Sequence, residues 1–74
     1  MPTYDVVLVH TTAAAMRGEA VLHRAGLKVK LIPVPRNLSS DCGLAIRSAS
    51  ADREQVLAVL SQERVEIAGV HPLG

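Results

Sequence analysis

Two helix-length segments, each flanked by strand-length runs, most limit the folds that this chain can adopt. Four runs have strand character (residues 4–10, 27–32, 44–48 and 65–71), and two helical stripes lie at about 13–25 and 50–62. No helical stripe separates the second run from the third. Because each strand–helix–strand half has about the minimum length for a right-handed crossover, we predict the element order β-α-β-β-α-β. That order is typical of the ferredoxin-like fold, an α+β sandwich in which two helices cover one face of an antiparallel four-stranded sheet.

The residue patterns of the strands predict where each strand lies in the sheet. The first run is apolar on both faces from Val6 to Val9, which favours a central strand. Residues 27–32 alternate apolar side chains with Lys28 and Lys30, a pattern typical of an edge strand. We predict the strand order 4-1-3-2. The helix-free face of that sheet is expected to carry Ala45, Ala68, Val70 and part of the first strand beside Lys28, Lys30 and Arg47.

Residues with special backbone chemistry predict where the elements begin and end. Gly26 is expected to end the first helix, because glycine adopts the left-handed conformation at low cost. Ser50 is expected to cap the second helix through its hydroxyl group. Pro33 and Pro72 are expected to end the second and last strands, since proline cannot donate to a strand ladder.

The length of the chain bears on how stable it is alone. Its 74 residues are interpreted as a single ferredoxin-like domain (1–74), and an apolar content of 49% argues against disorder. A domain of this size buries only about 60% of the surface of its unfolded chain, so it is marginally stable. A second copy on the helix-free face would bury more surface, and a homodimer is therefore expected, although the basic side chains on that face count against it.

Composition excludes several classes of function. The net charge is +1 and Tyr4 is the sole aromatic residue, so the chain lacks the basic field and stacking platforms of nucleic-acid-binding proteins. No apolar run approaches the roughly 20 residues that span a bilayer, so no membrane association is expected. A single cysteine excludes an internal disulfide and suits a reducing compartment, which favours the cytoplasm. No Cys/His spacing indicates a metal site, and no cofactor is expected.

The segment 32–43, which joins the two middle strands, is the candidate functional site. It holds the chain's one cysteine, Cys42, in a polar stretch that contains two prolines. A thiol is mostly protonated at neutral pH unless nearby positive charge lowers its pKa. Arg36 and Arg47 could supply such charge, whereas Asp41 would oppose it. The alternative is that Cys42 is a small buried hydrophobic residue at the start of a strand. Its position in a loop favours the functional interpretation.

Four further residues are candidates for contacts with a bound group. Ser39 and Ser40 could donate or accept hydrogen bonds, although serine pairs in turns usually bond to the backbone. Gly43 permits the close approach of another backbone or of a sulfur donor. His10 ends the first strand beside a helix N-terminus, which favours anions, but a histidine bonded to the backbone is the simpler interpretation.

Several of these segments resemble a known family. The resemblance is carried by His10-Thr11-Thr12, Ala25-Gly26-Leu27, Pro33-Val34-Pro35-Arg36 and Ser39-Ser40-Asp41-Cys42-Gly43-Leu44-Ala45. Together with the final helix and strand, they are similar to the Putative Se/S carrier protein-like family over nearly the whole chain. The resemblance implies a ferredoxin-like fold and the transfer of selenium or sulfur between a donor and an acceptor protein. It also implies that Cys42 holds the chalcogen as a persulfide or selenosulfide.

Two classes of function therefore remain open. In the first, the chain is a carrier in which Cys42 accepts a sulfur or selenium atom and passes it on. In the second, it is a non-catalytic module whose loop binds a small ligand or a partner protein, and Cys42 is structural. The sequence does not decide whether the chain is an enzyme.

Overall fold

The computed structural model describes residues 3–38 and 43–73. Its elements are β1 (Tyr4–Val9), α1 (Thr12–Arg24), β2 (Val29–Pro33), β3 (Leu44–Ala49), a short 3-10 turn (Ser50–Asp52) that leads into α2 (Arg53–Gln62), and β4 (Ile67–Leu73). The strands form one antiparallel sheet in the order β2-β3-β1-β4. The predicted ferredoxin-like α+β fold and the strand order are confirmed, with β1 central and β2 at an edge.

Both helices pack on the same face of the sheet, as predicted. The core on this side combines sheet residues with residues of each helix, namely Val7, Ile46, Val21, Leu22, Val56 and Leu60. Odd-numbered residues of β1 point to this face, because Val7 is paired with Ile46 across the sheet. Burial of these side chains is the main favourable term that holds the two layers together.

Local chemistry sets the two ends of α1. At the start, the side chain of Thr11 accepts a hydrogen bond of 3.0 Å from the backbone N–H of Ala14, which satisfies one of the free donors of the first turn. At the end, Gly26 has a φ of +85° and donates to the carbonyl of His23, while Leu27 donates to the carbonyl of Leu22. This is a Schellman motif, and it confirms that Gly26 ends the helix.

The start of α2 is joined to the sheet by a buried carboxylate. Asp5 is 1% exposed, and Arg53 donates to both of its oxygens, from Nε at 2.7 Å and from a terminal nitrogen at 2.8 Å. The Ser50 hydroxyl donates to the same carboxylate at 3.0 Å. The predicted helix cap by Ser50 is therefore wrong, because its hydroxyl bonds to Asp5 and α2 begins at Arg53.

The last strand differs from the prediction in two respects. β4 runs through Pro72 to Leu73, which is tolerated because an edge strand leaves one side of its backbone unpaired. The pairing with β1 shifts between Leu8 and Val9, where Leu8 faces Gly69 and Val9 faces Ile67. This bulge changes the alternation of side chains, so Val70 pairs with Val7 and packs on the helix side.

Val70 was expected on the helix-free face, and that expectation is wrong, whereas Ala45 does lie there. The homodimer through this face stays a prediction. Within the described ranges 3–38 and 43–73, neither helix has the length and apolar character needed to cross a membrane.

Candidate functional site at the loop between β2 and β3

The loop between β2 and β3 leaves the sheet and returns to it at one end of the strands. The backbone N–H of Val34 donates to the carbonyl of Gly43 at 3.1 Å, one step beyond the pair formed by Pro33 and Leu44. Four residues later, the N–H of Leu38 donates to the carbonyl of Pro35 at 3.0 Å. This bond closes a four-residue β-turn. The described part of the loop is therefore hydrogen-bonded at both of its ends.

Two apolar side chains attach this loop to the helix-free face of the sheet. Val34 and Leu38 pack against a cluster formed by Val6, Leu8 and Ala45. The three cluster residues are buried, although α1 and α2 both pack on the other face of the sheet. The loop therefore supplies part of their cover, so its position depends on the same apolar burial that stabilises the sheet.

Sequence reasoning missed these anchors, although a signal for them was present. Leu38 is a large aliphatic residue in an otherwise polar loop, and Val34 lies between two prolines. Apolar residues spaced in this way within a loop indicate contact with a nearby apolar surface.

The end of β1 and the start of α1 lie at the same end of the sheet as this loop. Leu8 pairs with Ala45, and the next residues along the two strands, Val9 and Leu44, pack in one small cluster with Ala15 of α1. His10 follows Val9 and is exposed. The first turn of α1 contains no acidic residue, so no carboxylate there offsets the positive end of the helix dipole.

The predicted site residues fall into two groups. Arg36, Gly43 and His10 are described, and all three are exposed. Arg36 is the second residue of the turn that begins at Pro35. A Cβ placed on Gly43 would meet no atom within 4 Å, its chain neighbours aside, among the residues that the structure describes. The remaining candidates (Cys42, Ser39 and Ser40) and their neighbour Asp41 lie outside the described residues.

The geometry brings the described candidates to the same end of the sheet. His10 and Gly43 follow paired strands, whereas Arg36 lies in the turn that leads away from β2. Across ranges 3–38 and 43–73, no three His, Cys, Asp or Glu side chains come close enough together to hold a metal ion. The described part of the site can therefore offer a cationic side chain, an imidazole ring and a helix N-terminus.

The buried carboxylate of Asp5 is a second cluster of titratable groups, and sequence reasoning did not identify it. The Arg53 hydrogen bonds lower the pKa of Asp5 below its ordinary value of 3.8, against the effect of burial, and the Ser50 bond lowers it further. Asp5 pairs with Ser48 at the end of β1 opposite to the loop. Because Arg53 and Ser50 bond both carboxylate oxygens, the cluster acts as a link between α2 and the sheet.

Fold and site together define a small ferredoxin-like domain that anchors one loop at the edge of its sheet. The chain matches the family described as "Putative Se/S carrier protein-like" over residues 4–72. The chain belongs to this family, and the suspected resemblance is confirmed. The comparison with curated proteins found no match, and neither did the comparison with solved structures.

Proposed function

We propose that this chain is a selenium or sulfur carrier in which Cys42 accepts the chalcogen from a donor protein and passes it to an acceptor protein. The observation that carries the proposal is the family match over residues 4–72, which includes the whole of segment 32–43. The name of the family describes this role. Cys42 is the one cysteine of the chain, so a thiol-based transfer has to use it.

The transfer can proceed by two thiol exchange steps without an added oxidant or reductant. In the first step, the Cys42 thiolate attacks the outer sulfur of a donor persulfide. A bond forms between Sγ and that sulfur, the sulfur–sulfur bond of the donor breaks, and the donor cysteine leaves as a thiolate. In the second step, an acceptor nucleophile attacks the outer sulfur now held by Cys42 and releases the Cys42 thiolate. With selenium in the outer position, the same bonds form and break, and no oxidant or reductant is needed either.

The described surroundings of the loop support this chemistry. The carrier residue must be presented to two different proteins, and the loop is held to the sheet by Val34, Leu38 and the bond between Val34 and Gly43. Developing thiolate charge is favoured by nearby positive charge. Arg36 is exposed within this loop, and the N-terminus of α1 lies at the same sheet edge. We propose that Arg36, Ser39, Ser40, Gly43 and His10 contact the transferred group or the two partner proteins.

The test is intact-mass measurement after incubation with glutathione persulfide. The wild-type chain is expected to gain the mass of one sulfur atom, and dithiothreitol should remove it. Cys42→Ser and Cys42→Ala should gain none, because serine is a poor nucleophile without an activating base and alanine has no nucleophile. The matched control is Asn37→Ala, which alters an exposed residue of the same loop outside the proposed contacts and keeps the thiol.

Two results would contradict the carrier proposal. One is sulfur uptake by both Cys42 variants, which would place the added sulfur elsewhere. The other is a wild-type chain that gains no sulfur and whose thiol resists alkylation in the folded state. Marked loss of stability in both Cys42 variants would also count against the proposal, because it would identify Cys42 as a buried packing residue. The non-catalytic binding module would then be the better interpretation.

A further inference from the structure

An open cationic groove lies on the helix-free face, at the end of the sheet opposite to the loop. Its volume is about 480 Å³, and it is lined by Tyr4, Lys28, Val29, Lys30, Arg47 and Ala49. Three of these six residues carry positive charge. They include both lysines of the chain, although the net charge of the whole chain is only +1. Three of the eight basic side chains of the chain, both lysines among them, therefore line this one groove.

In the four described strands, no acidic side chain lies on the same face as these cations. The register of β2, β3 and β1 places Lys30, Arg47 and Val6 in one row across the sheet, and His71 of β4 continues the row. Asp5 points to the other face, where it is bonded to Arg53. Within ranges 3–38 and 43–73, no hydrogen bond or ion pair joins Lys28, Lys30 or Arg47 to an acidic side chain.

The two cations in the centre of the groove face each other directly. Lys30 and Arg47 are paired residues on neighbouring antiparallel strands, and like charges in such directly opposite positions destabilise a sheet. The guanidinium of Arg47 lies over the ring of Tyr4 at 4.5 Å from its centroid. This cation–π contact restricts the conformations of the Arg47 side chain. An anion between the two side chains would relieve their repulsion and would be bound by charge-assisted hydrogen bonds.

We propose that this groove binds a small anionic ligand that carries at least two phosphate or carboxylate groups. Its volume falls within the range of small-molecule sites, about 300–1,000 Å³. Two separated lysines and one arginine can bond more than one anionic group at a time. The site goes beyond the proposed carrier function, because it uses neither Cys42 nor the loop.

The test is a two-dimensional amide NMR titration of the full chain with inorganic pyrophosphate, and separately with citrate. Saturable shifts are expected at the amides of Tyr4, Lys30 and Arg47. The double variant Lys28→Gln/Lys30→Gln should raise the dissociation constant at least about tenfold, since each lost charged hydrogen bond is worth a comparable factor. The matched control is Arg24→Gln/Arg64→Gln, which removes the same total charge from exposed sites elsewhere and should leave binding nearly unchanged. A response to pyrophosphate alone assigns a phosphate ligand, and a response to both probes assigns a general polyanion site.

Several results would overturn the proposal. Shifts that do not saturate, or an equal loss of binding in both double variants, would show only general charge attraction. The lysines would then protect the edge strand β2 from pairing with other chains. If a short polyglutamate peptide saturates the shifts and neither small anion produces any, the small-ligand proposal is wrong and the groove binds an acidic protein segment. Cys42→Ser should bind pyrophosphate like wild type, and a loss of binding in that variant would refute the separation of this site from the loop.

Discussion

Replacement of Gly18 with alanine tests how closely α1 approaches the sheet. Gly18 lies on the buried side of α1, and a Cβ placed there would be 2.7 Å from Cδ1 of Ile46. The next atoms, on Leu60 and Val65, would be 3.4 and 3.7 Å away. Since carbon atoms in a well-packed core are about 3.5–4.0 Å apart, only the contact with Ile46 would be a serious overlap.

Effects of opposite sign determine the change in the free energy of unfolding. Alanine favours a helix over glycine by about 1 kcal/mol, and its buried methyl group adds about 0.8 kcal/mol. Overpacking of a core costs about 1–3 kcal/mol. The upper part of that range applies, because Ile46 is fully buried and a shift of its Cδ1 atom has to be accommodated in a close-packed core. We expect Gly18→Ala to destabilise the protein by about 1 kcal/mol.

Ile46→Val provides the matched second variant, because it removes the overlapping Cδ1 atom. Alone, it should cost about 1 kcal/mol for the lost methyl group. In the Ile46→Val background, Gly18→Ala should instead stabilise by about 2 kcal/mol from helix propensity and methyl burial, which gives a coupling energy of about 3 kcal/mol. Urea unfolding of all four proteins, followed by far-ultraviolet circular dichroism, measures each value. Effects that add within about 0.5 kcal/mol, or a stabilising Gly18→Ala in the wild-type background, would refute the close approach at Gly18.

Three further variants test other described contacts. Asp5→Asn should lower stability at neutral pH: Arg53 and Ser50 hold the pKa of Asp5 below 3.8, so its stabilisation is complete above about pH 5 and is lost as the pH falls through the lowered pKa. The difference from wild type in urea unfolding should therefore shrink with acid, and a constant difference would contradict the link. Ser48→Ala should be neutral or stabilising by up to about 1 kcal/mol in thermal unfolding, because the buried Ser48 hydroxyl has no hydrogen-bond partner in the described part of the chain. Arg36→Ala should slow alkylation of Cys42 at neutral pH by about threefold for each half unit by which the thiol pKa rises, and a rate like that of the Arg24→Ala control would show that Arg36 does not act on the thiol.

The sheet could be predicted from the sequence because local periodicity reports burial directly. The run Val6–Val9 is apolar at every position, which is the pattern of a strand covered on both faces, and β1 is central. The alternation with Lys28 and Lys30 marked β2 as an edge strand. Gly26 ended α1 as expected, since the helix end requires a positive φ at that residue.

Other contacts could not be predicted because they join residues far apart in the chain. Nothing near Asp5 in the sequence indicates that Arg53 and Ser50, more than forty positions away, bond its carboxylate. An aspartate in a strand is read as an exposed residue unless its partner is known. The bulge beside Val9 likewise depends on how β4 fits against β1, and it reversed the predicted face of Val70.

The described part of the loop packs against the sheet, because the helix-free face of the sheet needs apolar cover that the two helices do not supply. An α+β sandwich with helices on one face leaves the other face of its central strand in water unless something else covers it. Here Val6 and Ala45 are 0% exposed on that face, and the loop residues Val34 and Leu38 pack against their cluster. Displacing the loop would therefore expose core side chains at about 25 cal/mol for each Å² of apolar surface. Only residues 39–42 separate the anchor Leu38 from Gly43, the residue bonded to Val34, and Cys42 is among them. The apolar contacts that stabilise the domain therefore also fix the two described ends, Leu38 and Gly43, of the segment that contains Cys42, which is the geometry that the proposed carrier function requires.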